Sequence, residues 1–265
     1  VGDAVRLGAG PGITLSFLLS GLACVLAALC YAEFAAMIPV SGSAYTYSYA
    51  TLGEFIAWIT GWNLILEYGV ASVAVAIGWS GYFNKLLQIA GIHLPDWATH
   101  APGGPEGGII NLPAMIIVLL CTWMLVVGIK ESARITTIIV VIKLVVIGFF
   151  IAVGADQVDT ANWSPFMPNG FAGVGAAAAI VFFAYIGFDA VSTTAEEARN
   201  PQRDIPIGII ASLGICTLLY LAVAAILTGM IPWQKIDVNA PIADALGQLG
   251  FKWGAAIVSV GAVAG

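Results

Sequence analysis

The sequence predicts an all-α polytopic membrane protein, and three observations carry that prediction. Hydrophobic residues fill 60% of the 265 positions and charged residues only 9%, with a mean hydropathy of +0.97. A soluble domain, by contrast, carries about 25% charge. Apolar runs close to the roughly 20 residues that cross a bilayer as a helix recur along the whole chain. The alternation of apolar and polar residues that marks the strands of a membrane β-barrel is missing from it.

Taken in order, residues 1–11 read as the tail of an earlier helix followed by a Gly/Pro turn at "GAGPG" (8–12). Spans follow over roughly 12–38, 55–87, 109–128, 135–153, 171–195 and 206–231, and another starts near 253. The 55–87 run suits one long, tilted helix. The reading is six complete spans and two remnants, forming one partial transmembrane domain over residues 1–265. The chain starts at Val1 and stops at Gly265 inside an apolar run, so it is expected to be a segment of a longer protein, with no signal peptide ahead of it.

The connections fit this division. "HLPDWATHAPGGPEGG" (93–108) is turn-rich and polar, and "ADQVDTANWSP" (155–165) is acidic without a base. "GIKESAR" (128–134) and "EEARNPQRD" (196–204) bring Lys130, Arg134, Arg199 and Arg203 to the same side as the 39–54 connection. Arg6, Lys85, Lys235 and Lys252 fall on the other side. The basic residues are denser in the two short loops, which places those loops in the cytoplasm.

Composition and motif checks exclude several classes. Nine basic residues scattered over the chain do not make a nucleic-acid surface. No HExxH, GxSxG or P-loop pattern is present, so neither an enzyme nor a cofactor or metal site is expected. The glycines at 8–12 open a membrane helix instead of a βαβ unit. Cys24, Cys30, Cys121 and Cys216 lie in apolar segments without CxxC spacing and read as small hydrophobes. His93 and His100 fall in a polar loop, and Asn162 heads an NWS sequon.

Three ionisable side chains fall inside the spans: Glu67, Lys143 and Asp189. Each would cost about 2.5–3.5 kcal/mol at a helix centre on insertion scales, so such residues face a bundle interior, pair, or line a path. On a helix, Glu67 shares a face with Asn63, Ala71, Ala74 and Gly78. That face is polar at one end and small at the other, which leaves room for close packing or a ligand. Glu67 is either a buried carboxylate bonded to a neighbouring helix or one that meets a substrate amine or a proton. Asp189 follows Gly187, and Ser192, Thr193 and Thr194 come next, so the 171–195 span is expected to be broken there. Unwound backbone at membrane depth is tolerated only where it lines a cavity, and transporters build midplane substrate sites from such breaks. Asp189 itself is expected to cap the second half-helix. Lys143 sits centrally in "TTIIVVIKLVVIGFFIAVG" (136–154); the bland reading is a lysine that snorkels to the interface, against which stands its central place and a stem that reaches only a few ångströms. Burial disfavours a charged amine, so such a lysine can exchange a proton during a cycle. Kept protonated, it is a fixed cation.

"YAEFAAMIPVSGSAYTYSYATLGE" (31–54), "FFAYIGFDAVSTTAEEARNPQRDIP" (182–206) and Lys143 in its helix together resemble the amino acid–polyamine–organocation superfamily, closest to its bacterial cationic amino acid transporter family. The resemblance runs over essentially the whole chain. It implies a LeuT-like fold of two inverted five-helix repeats, with this chain running from the end of the first helix, through a broken sixth helix at 171–195, to the start of the eighth. It also implies a cell-membrane permease that moves an L-amino acid by alternating access, coupled to protons.

Site roles follow from the same resemblance. Phe183 would close over the substrate, carbonyls near Phe183, Ala184 and Ile186 would receive its amine, and Glu67 and Ala71 would stand beside it. Lys143 would occupy the place that a sodium ion takes in other members and would carry the coupling. The glycine-rich break of the first helix should lie just before Val1. The expected partners are the amino acid, protons and the lipid bilayer, with a partner subunit left open. A proton-independent exchanger or facilitator is the alternative. A retinal photoreceptor with a Lys143 Schiff base and an ion channel are remote ones. The first lacks an aromatic ring pocket around Lys143, and the second needs a pore-lining ring of charge.

Overall fold

The computed structural model describes residues 1–103, 107–127 and 133–264, without the side chains of residues 7 and 133–136. Lys130 and the side chain of Arg134, half of the basic residues in the two short loops placed in the cytoplasm, lie outside the described residues. Within them the architecture is helical and no strand is present.

The chain opens with a single short turn, α1 (Gly2–Ala4), a π-type turn over Val5–Ala9 and a 3-10 turn over Gly10–Gly12. Then come α2 (Ile13–Met37), α3 (Ser43–Leu52), α4 (Glu54–Ile89), α5 (Leu112–Val127) and α6 (Ala133–Ala155). The interrupted helix starts as α7 (Gly170–Val181), and α8 (Pro201–Met230), α9 (Pro241–Gln248) and α10 (Lys252–Val263) complete the order. Among the described residues, five helical stretches are long and apolar enough to cross a membrane: Gly10–Met37, Glu54–Ile89, Thr137–Ala155, Gly170–Glu197 and Pro201–Met230.

The expected span at 109–128 starts three residues later than anticipated. Asn111 Oδ1 accepts the Ala114 N–H at 3.1 Å, fixing the helix start at Leu112. Ile109 and Ile110 stay outside the helix and donate their N–H groups to the Trp97 carbonyl, each at 3.0 Å. Two helices fall in stretches read as connections. α3 occupies most of the expected 39–54 loop, bracketed by Gly42 at φ +123° and Gly53 at φ +88°. α9 begins on Pro241, a residue pre-set for a first helical turn.

The chain divides into two compact units. One comprises Ala4–Ala71 and Pro165–Ala225, and its core is α2 against α7. Ser16, Ser20, Cys24, Ala28 and Ala32 recur every four residues along the buried face of α2. Ser16 Oγ donates to the Val174 carbonyl at 2.9 Å and Ser20 Oγ to that of Ala178 at 2.7 Å. Small residues bring backbones together here, as in membrane helix pairs generally. A Cβ on Gly173 would stand 2.6 Å from the Gly8 carbonyl oxygen, and Asn169 Nδ2 donates to that same oxygen at 2.9 Å. Leu18, Leu22, Leu26 and Leu29 stay exposed on the other side of α2, the band suited to hydrocarbon.

The second unit comprises Val1–Asp3, Ser72–Ser164 and Ile226–Gly265. In it α10 packs on α6, with Gly261 against Val146 and the Phe149 and Trp253 ring centroids 5.5 Å apart. Lys85 Nζ pairs with Asp244 Oδ1 at 2.6 Å, tying α4 to α9. A cavity of about 520 Å³ in this unit is lined by Ser80, Asn84, Asp96, His100, Asn111 and Asp237 among others. None of the expected site residues lines it.

Candidate functional site

The site grows from the interruption in the Gly170–Glu197 stretch. α7 tightens into a 3-10 turn over Phe182–Tyr185, and the chain then leaves helical geometry at Ile186 (φ −55°, ψ 134°). Gly187 takes φ +110°, a conformation open to glycine and strained for other residues. A second 3-10 segment resumes over Asp189–Glu197. The break expected from the sequence is therefore present at Gly187, but its second half is wound more tightly than an α-helix.

The three backbone carbonyls expected to be free are not equivalent. The Phe183 carbonyl accepts the Ile186 N–H at 3.3 Å, and the Ala184 carbonyl accepts the Tyr220 hydroxyl at 2.8 Å. The Ile186 carbonyl has no hydrogen bond among the described residues. Each carbonyl has two lone pairs, so those of Phe183 and Ala184 keep one acceptor site. Among the described residues Ile186 is the open acceptor, and the other two are already partly used.

Three aromatic side chains hold the turn. Tyr185 is buried and donates its hydroxyl to the Phe17 carbonyl at 2.9 Å. The Phe17 ring lies 5.3 Å from that of Tyr220, and Tyr185 crosses Tyr220 edge-on at 5.2 Å. Phe183 is 36% exposed. These tyrosines escaped the sequence reading. The signal available was the rule that a tyrosine hydroxyl inside a membrane span needs an acceptor.

Two carboxylates accompany the break. Asp189 is 4% exposed, and the Tyr68 hydroxyl donates to its Oδ2 at 2.7 Å. The neighbouring Glu67 is half-buried and within electrostatic reach of Asp189, as is the Tyr31 phenol. The expected capping role of Asp189 is not what the structure shows. Phe188 precedes the 3-10 segment and no side chain caps it. The turn at 186–188 places Asp189 in the first helical position, where its carboxylate meets α4 instead of the helix's own N–H groups.

The same unit holds an aromatic cluster. Tyr31 packs edge-on against both Phe188 at 5.7 Å and Tyr47 at 6.0 Å, and Tyr47 stacks on Phe34 at 5.3 Å. Tyr47 belongs to α3, outside the spans, and burial pushes its phenol above the ordinary value.

The structure therefore places Glu67, Ala71, Phe183, Ala184 and Ile186 in one unit, together with Asp189. Lys143 lies on α6 in the other unit, half-buried and engaged by neighbouring groups.

Known proteins are similar to this chain in sequence. The family model described as "Amino acid permease" matches residues 4–265. The methylthioribose transporter of Bacillus subtilis (strain 168) is 52% identical over 264 residues, a match covering 100% of this chain and 57% of that protein. A branched-chain amino acid permease of the same organism is 55% identical over 260 residues, covering 97% of this chain and 56% of its own length. The chloroplastic cationic amino acid transporter 9 of Arabidopsis thaliana is 42% identical over 273 residues, covering 100% of this chain and 48% of its own length. The chain spans about half the length of these curated relatives. By the extent of the family match, it belongs to the amino acid permease family.

Proposed function

We propose that the protein containing this chain is a secondary transporter that carries an L-amino acid across the cell membrane by alternating access, driven by protons. The observation that supports this most is the open Ile186 carbonyl, set in an interrupted apolar span beside the buried carboxylate of Asp189. An unsatisfied carbonyl at membrane depth costs several kcal/mol unless something meets it. A substrate ammonium supplies that partner. Broken helices with such ends are the usual construction of a midplane site.

In this reading the substrate amine binds the Ile186 carbonyl and the remaining lone pairs at Phe183 and Ala184. Phe183 closes over the bound molecule, and Ala71 leaves space for its side chain. Glu67 is a polar wall of the same chamber. Lys143 is the built-in cation of the coupling step. The 39–54 and 196–204 connections face the cytoplasm.

The relatives carry names with different cargoes: a methylthioribose, branched-chain amino acids and cationic amino acids. Small, apolar Ala71 and Ile186 favour a neutral amino acid. Methylthioribose is the second reading, because that relative is 52% identical to the chain. It has no amine to offer Ile186.

Phe183→Ala tests the site directly. An aromatic contact is worth about 1 kcal/mol beyond its burial, so KM for the transported amino acid should rise about fivefold. The thermal unfolding midpoint should stay within a few degrees of the parent. An unchanged KM would remove Phe183 from the binding chamber.

A further inference from the structure

The connection between α2 and α3 is fastened onto the second half of the broken helix. Ser41 Oγ donates to the Thr193 carbonyl at 2.8 Å, and the Ser41 N–H donates to Glu196 Oε1 at 3.3 Å. Ser43 Oγ reaches the Asp189 carbonyl with a longer contact of 3.5 Å. All of these residues belong to one compact unit.

The shape of the connection is built in. Gly42 holds φ +123° and Ser43 holds φ +52°, two successive residues in left-handed backbone. Thr46 Oγ1 donates to the Ser41 carbonyl at 2.9 Å, and a Cβ on Gly42 would overlap that same Thr46 hydroxyl. A non-glycine residue in left-handed backbone persists only where its surroundings hold it there. Ser41 is therefore presented to the broken helix by a turn already wound for that purpose.

The element it grips is an unusual one. Asp189–Glu197 is a nine-residue 3-10 segment, whereas 3-10 runs beyond three or four residues are uncommon and mark hinges or strain. Ser192, Thr193 and Thr194 spend their hydroxyls on the carbonyls of Asp189, Ala190 and Val191, leaving the segment's own bonding local. Its long-range hydrogen bonds run to Tyr68 on α4 and to the 41–43 turn.

We propose that residues 41–43 are a latch on the broken helix. Closed, as in this structure, the latch holds Asp189–Glu197 against the α2–α3 connection. It must release before that half-helix can move and open the site toward the side that carries residues 39–54. This rests on the transport reading above. Ser41 is a positioning residue, since it touches the half-helix and takes no part in the expected substrate chamber.

The test uses the full-length protein in proteoliposomes, with its native cysteines replaced and the pair Ser41→Cys/Thr193→Cys introduced. Bridging the pair with a short bifunctional thiol reagent should slow uptake by about tenfold or more, and a cleavable bridge should restore it on reduction. Equilibrium amino-acid binding should stay within about threefold of the unbridged protein. A pair that does not bridge overturns the geometry, and bridged protein that transports at the unbridged rate overturns the latch. In a second measurement, Ser41→Ala should raise the rate at which an impermeant maleimide labels a cysteine at the buried Ala195 (Ala195→Cys) by about threefold or more. Unchanged labelling also overturns the latch. If the unmodified protein transports nothing, the transport reading fails and the latch is decided by the labelling rate alone.

Discussion

Lys143→Ala is expected to abolish gradient-driven uptake while leaving the protein folded. Lys143 is the one charged residue of the Thr137–Ala155 span. Insertion of a lysine near a helix centre costs about 2.5–3.5 kcal/mol, so alanine should make this helix easier, not harder, to place in the membrane. A loss of transport then reports on the charge itself. Uptake should fall to the level of empty liposomes under an inward proton gradient. Exchange of internal for external amino acid, which needs no net proton movement, should persist. Full uptake that still responds to the gradient would remove Lys143 from the coupling path and leave it a structural cation.

Gly187→Ala is expected to cripple transport through the backbone alone. Nothing lies within 4 Å of the position an added Cβ would take, so the substitution introduces no collision. What it opposes is the φ of +110°. Holding a non-glycine residue in such a conformation costs about 1–3 kcal/mol. Relieving the strain means rewinding residues 186–188 and moving the Ile186 carbonyl and Asp189 out of register. A substrate that relies on that carbonyl should bind about tenfold more weakly, the equivalent of 1.4 kcal/mol. Kd measured by scintillation proximity checks this. Unaltered affinity would mean that the break is not part of the binding site.

Much of this architecture was legible because the membrane imposes long, simple signals. α2, α4, α6, the Gly170–Glu197 stretch and α8 were found by length and apolarity, with ends displaced by a few residues. The break was legible because glycine and a polar run occur where a continuous span would have neither. α3 and α9 were not. Their ten and eight residues mix tyrosine, serine, alanine and glycine, and no apolar run announces them. Asp189 was read as a cap from local sequence, since proximity to Tyr68, 121 positions away, is a tertiary fact. The same holds for the Ala184 carbonyl, which looks free in a broken helix until Tyr220 is placed over it. Local rules recover where the helix breaks, and packing decides which of the exposed groups stay open.

The most direct measurement of the central claim is uptake of labelled amino acids by the full-length protein in proteoliposomes. The panel would hold alanine, leucine, arginine, lysine and glutamate, with methylthioribose beside them, each with and without an inward proton gradient. The account predicts saturable accumulation of an amino acid that rises with the gradient. Accumulation of methylthioribose alone, or uptake of every compound at the level of empty liposomes, would contradict it.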